Sequence, residues 1–118
     1  MKIVDVAKLL NAEIVAGDAT KEKEVTCIFA SDLMSDVLAF ARDEDVLISG
    51  LSNPQLVRTA ALLDMHCIIL VRGKAATDDI ISLCDKKGIA CLTTKLGMYE
   101  ACGLLFQKNL IPNKAKSK

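Results

Sequence analysis

The chain has 118 residues, with 15 basic and 15 acidic side chains, so its formal net charge is zero. That balance removes the electrostatic drive for nonspecific nucleic-acid binding and argues against a membrane-surface role. With 52% hydrophobic and 25% charged residues the chain is expected to be globular, and no apolar run approaches the ~20 residues needed to span a bilayer.

The length suits one domain, which we place at residues 1–111, with a basic tail over 112–118 expected to be disordered. Residues 3–10 read as a short helix with Ile3, Val6, Leu9 and Leu10 on one face. Residues 13–16 form a short strand ended by the Gly17-Asp18 turn, and a charged loop covers 20–24. A strand over 25–30 follows. Ser31 is expected to cap the next helix, with Asp32 in its first turn and Leu33, Met34, Val37, Leu38 and Ala41 on the helix. Residues 45–49 make a buried strand ended by Gly50. Asn53 caps, and Pro54 opens, a helix carrying Leu56, Val57, Ala60, Ala61 and Leu63. Residues 67–71 return as a strand. This βαβ unit requires a partly parallel sheet, and Ile68-Ile69-Leu70-Val71 is apolar on both sides, as a strand covered on both faces must be. Thr77 is expected to cap the next helix and Gly88 to stop it. A strand over 89–92 and a last helix, capped by Thr93 or Thr94 and reaching about Gln107, complete the chain. Strands alternating with helices predict a three-layer α/β/α sandwich with a mostly parallel sheet.

The five cysteines, Cys27, Cys67, Cys84, Cys91 and Cys102, are scattered through apolar segments without a C-x-x-C pair. They read as buried thiols in a reducing cytoplasm rather than as a disulfide framework or a metal site. No signal peptide is visible at the N-terminus. No metal and no cofactor is expected.

Ligands of parallel sheets bind beyond the carboxyl ends of strands. The candidate site residues are therefore Ser52, Asn53 and Gln55 at one junction, Arg72, Gly73 and Lys74 at the next, and Thr93 and Thr94, beside Lys95, at the third. Arg72 offers a planar guanidinium and Lys74 a mobile charge, beside a glycine turn leading into a helix N-terminus suited to anions. The plainer readings are a solvated turn for the cations and a simple helix cap for Asn53. Gly73-Lys74 is not a phosphate loop, because Ile68 stands where a glycine is needed and Ala75 where a Ser or Thr is needed. His66, the single histidine, has no nucleophile evidently paired with it, so no catalytic residue is predicted. Asp32 and Asp36, four apart on the expected helix, read as a solvated face rather than a cation site. Ala101, Cys102 and Gly103 give the last helix a small-residue side. Leu104, Leu105 and Phe106 spread its apolar arc so widely that one partner surface cannot cover it.

Met1 to Leu10, the Gly17-Asp18 turn, Ala30 to Leu38 and Thr93 to Cys102 together give the chain a pattern that resembles the DRTGG domain, a small regulatory α/β module. The module is also similar to the N-terminal domain of HPr serine kinase/phosphorylase. Gly50-Leu51-Ser52 stands where other members place Gly-Asp-Arg, and Val71-Arg72-Gly73 where they place Thr-Gly-Gly, so the chain looks like a divergent, stand-alone branch. The resemblance implies a non-catalytic regulatory or interaction module that acts as a homodimer and binds a small anionic ligand such as a nucleotide. Stand-alone members are found near iron-only hydrogenase components, which implies a hydrogenase-related protein partner. Two other readings stay open. One is an accessory domain or fragment of a phosphoryl-transfer enzyme. The other is a nucleotide-sugar binder, since the opening pattern resembles the N-terminal domain of the Mur ligases.

Overall fold

A computed structural model describes residues 1–112; the basic tail expected to be disordered lies, from Asn113 to Lys118, outside the described residues. The elements in chain order are α1 (Ile3–Leu9), β1 (Glu13–Ala16), β2 (Ile28–Ala30), α2 (Met34–Phe40), β3 (Val46–Ser49), α3 (Pro54–Leu62), β4 (Cys67–Leu70), α4 (Asp78–Lys87), β5 (Ala90–Thr93) and α5 (Met98–Gln107). The strands form one five-stranded sheet in the order β1-β5-β4-β3-β2. β2, β3, β4 and β5 pair parallel, and β1 closes the β5 edge antiparallel.

Strand residues alternate between two cores, and this alternation separates the layers. Val46, Ile48, Cys67, Ile69, Val71, Ala90 and Leu92 face α1 and α5, where they meet Ile3, Val6, Leu10, Ala101 and Leu105. Leu47, Ile68, Leu70 and Cys91 face the other way, against Met34 and Val37 of α2, Leu56, Val57 and Ala60 of α3, and Ile80 and Cys84 of α4. The expected α/β/α sandwich is therefore the observed one. The order β2, β3, β4, β5 steps in one direction, so crossovers of one hand put α2, α3 and α4 on the same face. From β2 onward the chain changes face only after β5.

With few aromatics available, the cores are filled by aliphatic side chains and thiols. Cys67, Cys84 and Cys91 are buried, while Cys27 and Cys102 are half-buried. Burial pushes the Cys67 thiol up. A hydrogen bond shared with Cys84, then burial, does the same for Cys91. Such thiols pack as small hydrophobes rather than react.

Three local expectations are corrected. The second helix begins at Met34 with Leu33 in the cap position, and Ser31 Oγ only accepts the Leu33 N–H at 3.1 Å in a short turn ahead of it. Asp32 thus lies outside the helix, and the expected Asp32–Asp36 face does not exist. Gly97, not Thr93 or Thr94, precedes the last helix. The strand expected over 25–30 is regular only from Ile28, because the Thr26 N–H donates to Asp45 Oδ2 at 2.7 Å instead of entering the sheet. By contrast, Asn53 accepts the Gln55 N–H at 2.8 Å, Thr77 accepts the Ile80 N–H, and Gly88 closes α4 at φ +71, all as expected.

Gly17 ends β1 at φ +69, and its N–H donates to Asp85 Oδ1 at 2.7 Å. A Cβ there would collide with the Ile89 carbonyl. Gly17→Ala should therefore destabilise the fold by about 1–3 kcal/mol, and an unchanged urea midpoint would contradict this account of the turn.

Candidate functional site

The carboxyl ends of the four parallel strands carry polar loops and helix starts, but they are not equally open. The β3 end is closed by a cluster. Asp32, from the loop after β2, accepts the Gly50 N–H at 2.6 Å and the Ser49 hydroxyl at 3.3 Å through Oδ1. Its Oδ2 accepts from Arg72 Nη2 at 2.8 Å. The guanidinium lies so close over Gly50 that any Cβ at that position would strike it. The Gly50 N–H, followed by Arg72, holds the Asp32 carboxyl below its usual range. Ser52 Oγ donates to the Ala75 carbonyl at 2.6 Å and ties the β3–α3 loop to the β4–α4 loop.

At the β4 and β5 ends the picture differs. The loop after β4 leads to α4 on one face, and the loop after β5 leads to α5 on the opposite face. Adjacent strands whose connections diverge in this way leave a crevice between them. A cavity of about 390 Å³ occupies this place. One wall is Gly73, Lys74 and Ala75 from the loop after β4; another is Thr93, Thr94, Lys95 and Leu96. Leu10 and Asn11 after α1, and Glu13 on β1, close the third side.

The two diverging loops are held together by backbone. The Arg72 N–H donates to the Leu96 carbonyl at 2.7 Å and the Gly73 N–H to the Thr94 carbonyl at 3.0 Å. These residues reach that geometry with φ of +63 and +69. Both amides are therefore occupied and are not offered to a ligand in the crevice. Thr94 is buried; its hydroxyl donates to the Leu10 carbonyl at 2.8 Å and accepts the Leu96 N–H at 3.2 Å. It braces the crevice floor against α1. Lys74 and Lys95 are exposed, and neither ammonium has an ion-pair partner among the described residues.

Of the residues expected at the site, Gly73, Lys74, Thr93 and Thr94 come together in the crevice. Ser52 reaches it only through Ala75. Asn53 serves the α3 cap, and the exposed Gln55 side chain is not in the crevice lining. Arg72 stands beside the crevice with its guanidinium turned to Asp32. Sequence reasoning missed Asn11 and Glu13, because nothing local says that β1 lies beside β5. Asp32 was placed on a helix, although its position just after β2 already put it at the carboxyl edge. His66 precedes β4 and so lies at the opposite edge of the sheet, with Nδ1 3.4 Å from Lys23 Nζ. Among the described residues no three His, Cys, Asp or Glu side chains gather as a metal site. No helix among them is long and apolar enough to cross a membrane.

Residues 5–107 match the profile of the DRTGG domain. The chain belongs to the DRTGG domain family. No curated protein matches it in sequence. Among solved structures it is similar to the CBS and DRTGG domains of the regulatory region of Clostridium perfringens pyrophosphatase, complexed with the activator diadenosine tetraphosphate. The superposition gives a TM-score of 0.74 at 19% identity, over 90% of this chain and 46% of that one. This DRTGG domain thus spans just under half of the chain it resembles, and the likeness is one of fold.

The ordinary aspartate pKa lies near 4, and Asp32 titrates below it when folded. Its contribution to stability is thus present above that ordinary value and lost as the pH falls through the lowered folded value. With the Asp32 and Arg72 side chains 50% and 42% exposed, solvent screening limits the contribution to about 1 kcal/mol. Asp32→Asn should lower the urea stability by that much at pH 7, and the two proteins should converge as the pH falls below the ordinary aspartate value and through the lowered folded one. A gap that stays constant with pH would show that Asp32 acts without its charge.

Proposed function

We propose that this DRTGG domain is a non-catalytic regulatory module that binds a small anionic ligand, such as a nucleotide, in the crevice between β4 and β5. The observation that carries this reading is the pair Lys74 and Lys95, two ammonium groups without ion-pair partners among the described residues, on the rim of one cavity. Its volume of about 390 Å³ falls in the usual range for small-molecule sites. The regulatory pyrophosphatase region of similar fold is complexed with a nucleotide activator, which makes nucleotides the first class to try. Thermal shift with adenine, guanine and uridine nucleotides, followed by calorimetry on the best binder, tests the proposal. Lys74→Ala and Lys95→Ala should each weaken the ligand by about 1.5–3 kcal/mol, the worth of a charged hydrogen bond, and leave the unfolding midpoint in place. Full affinity in both variants would remove the crevice from consideration. A preference for uridine diphosphates would instead favour the nucleotide-sugar reading. Copurification from the native organism tests for the protein partner, hydrogenase-related or other.

The same module works as a homodimer in this reading, with α5 as the contact. Ala101 and Leu105 bury one side of that helix, while Tyr99 is 93% exposed, Phe106 is 60% exposed, and Gly103 lies exposed between them. Phe106 also lines an apolar groove of about 230 Å³ with Ile28, Ala30, Cys102 and Ile111. A helix with apolar side chains on two sides calls for two partner surfaces, and a second copy supplies the other. Light scattering at micromolar concentration should give twice the chain mass. Gly103→Glu should give a folded monomer, since a Cβ there meets nothing within 4 Å in the chain itself and a carboxylate buried without a partner is costly at an interface. A monomeric mass for the parent protein would end this part of the proposal.

A further inference from the structure

We propose that Glu13 makes the crevice selective for ligands that present hydroxyl or amine donors beside their anionic group, as the ribose of a nucleotide does, over bare anions of the same charge. The proposal rests on the anion-binding reading of the crevice.

Antiparallel pairing of β1 with β5 sets Glu13 directly opposite Thr93. Glu13 thereby lines the same cavity as Lys74 and Lys95. Opposite charges sharing one cavity would ordinarily be expected to pair. Here they do not: neither lysine is within ion-pair distance of Glu13, and the Glu13 carboxylate has no hydrogen-bond or ion-pair partner among the described residues. Its backbone is fixed in the β1–β5 ladder and theirs in the two stitched loops, so the three side chains enter the cavity from separate segments of chain.

A cavity with ammonium groups on two walls and a carboxylate on a third reads two features of a ligand at once. The lysines attract phosphate oxygens. The carboxylate is an acceptor only, with two oxygens and no proton to give. It repels a second anion and is satisfied by a group that donates, and a vicinal diol donates twice. Asn11, on the same side as Glu13, and Thr93, opposite it on β5, add an amide and a hydroxyl suited to the same polar, uncharged part of a ligand. A bare diphosphate uses the lysines, leaves the carboxylate without a donor and meets its repulsion. A nucleoside diphosphate uses the lysines and the carboxylate together.

Calorimetry with ADP, GDP and UDP, which share one diol and one diphosphate, against inorganic pyrophosphate, which has no diol, tests this. In the parent protein the tightest nucleotide should bind at least tenfold more tightly than pyrophosphate. In Glu13→Ala pyrophosphate should tighten severalfold while the nucleotide weakens, so the preference falls by at least tenfold. Glu13 is exposed on an edge strand, so the unfolding midpoint should stay put. A preference unchanged in Glu13→Ala, while Lys74→Ala and Lys95→Ala weaken both ligands, overturns the role of Glu13 and leaves the anion site standing. Failure of all four diphosphates to bind the parent protein, or binding indifferent to both lysine variants, overturns the anion site and this proposal with it.

Discussion

Everything distinctive about this domain depends on where its chain changes face. Three successive crossovers keep α2, α3 and α4 on one side of the sheet, and a chain continuing in that manner would cover every strand end from the same side. After β5 it crosses over instead, and α5 packs with α1 on the far face. The loops after β4 and β5 must then part, and the parting would open the sheet to water were it not bridged. Two backbone hydrogen bonds, from the Arg72 and Gly73 amides to the Leu96 and Thr94 carbonyls, hold the loops at a fixed separation. The crevice is the space those bonds leave, and its polar character comes from the side chains the two loops carry.

The rest of the carboxyl edge is occupied by the protein's own contacts. Asp32 collects a backbone amide, a hydroxyl and a guanidinium from two other segments of chain. An ion pair as exposed as Asp32–Arg72 contributes little energy by itself. Its consequence is geometric: the guanidinium lies over Gly50 and away from the crevice, so the cations left to face a ligand are Lys74 and Lys95. A lysine is a point charge on a flexible stem and sets less geometry than an arginine fork. The β1 side of the crevice adds Glu13 from an edge strand.

That side is also where the sheet ends. β1 runs antiparallel to β5 and carries a register shift between Ile14 and Ala16. The shift lets Ile14 pack on the α1–α5 core while Val15 and Ala16 pack on the other. Gly17 then turns the chain against the Ile89 backbone, where no side chain fits. The edge strand is thus locked at both of its ends, by Glu13 opposite Thr93 and by Gly17 against the turn before β5.

The sequence by itself determined the class of fold and most of its elements. Strands such as Ile68 to Val71 are apolar on both faces and admit only burial between two layers. The Asn53-Pro54 start, the Thr77 cap and the Gly88 stop are chemical signals read within a few residues. The two junctions carrying Gly73, Lys74, Thr93 and Thr94 were legible for the same reason, since a strand's carboxyl end follows from its own boundaries. Only the tertiary structure decided which of the junctions stay open. Arg72 looked like the foremost anion ligand, but its guanidinium answers to Asp32, a residue 40 positions away. Thr94 looked like a helix cap, but its hydroxyl answers to Leu10, 84 positions away. Glu13 and Asn11 carried no local mark of a site. They line the crevice because β1 pairs with β5, and pairing between strands so distant in sequence is set by the burial of two whole faces of a sheet rather than by any short run of residues.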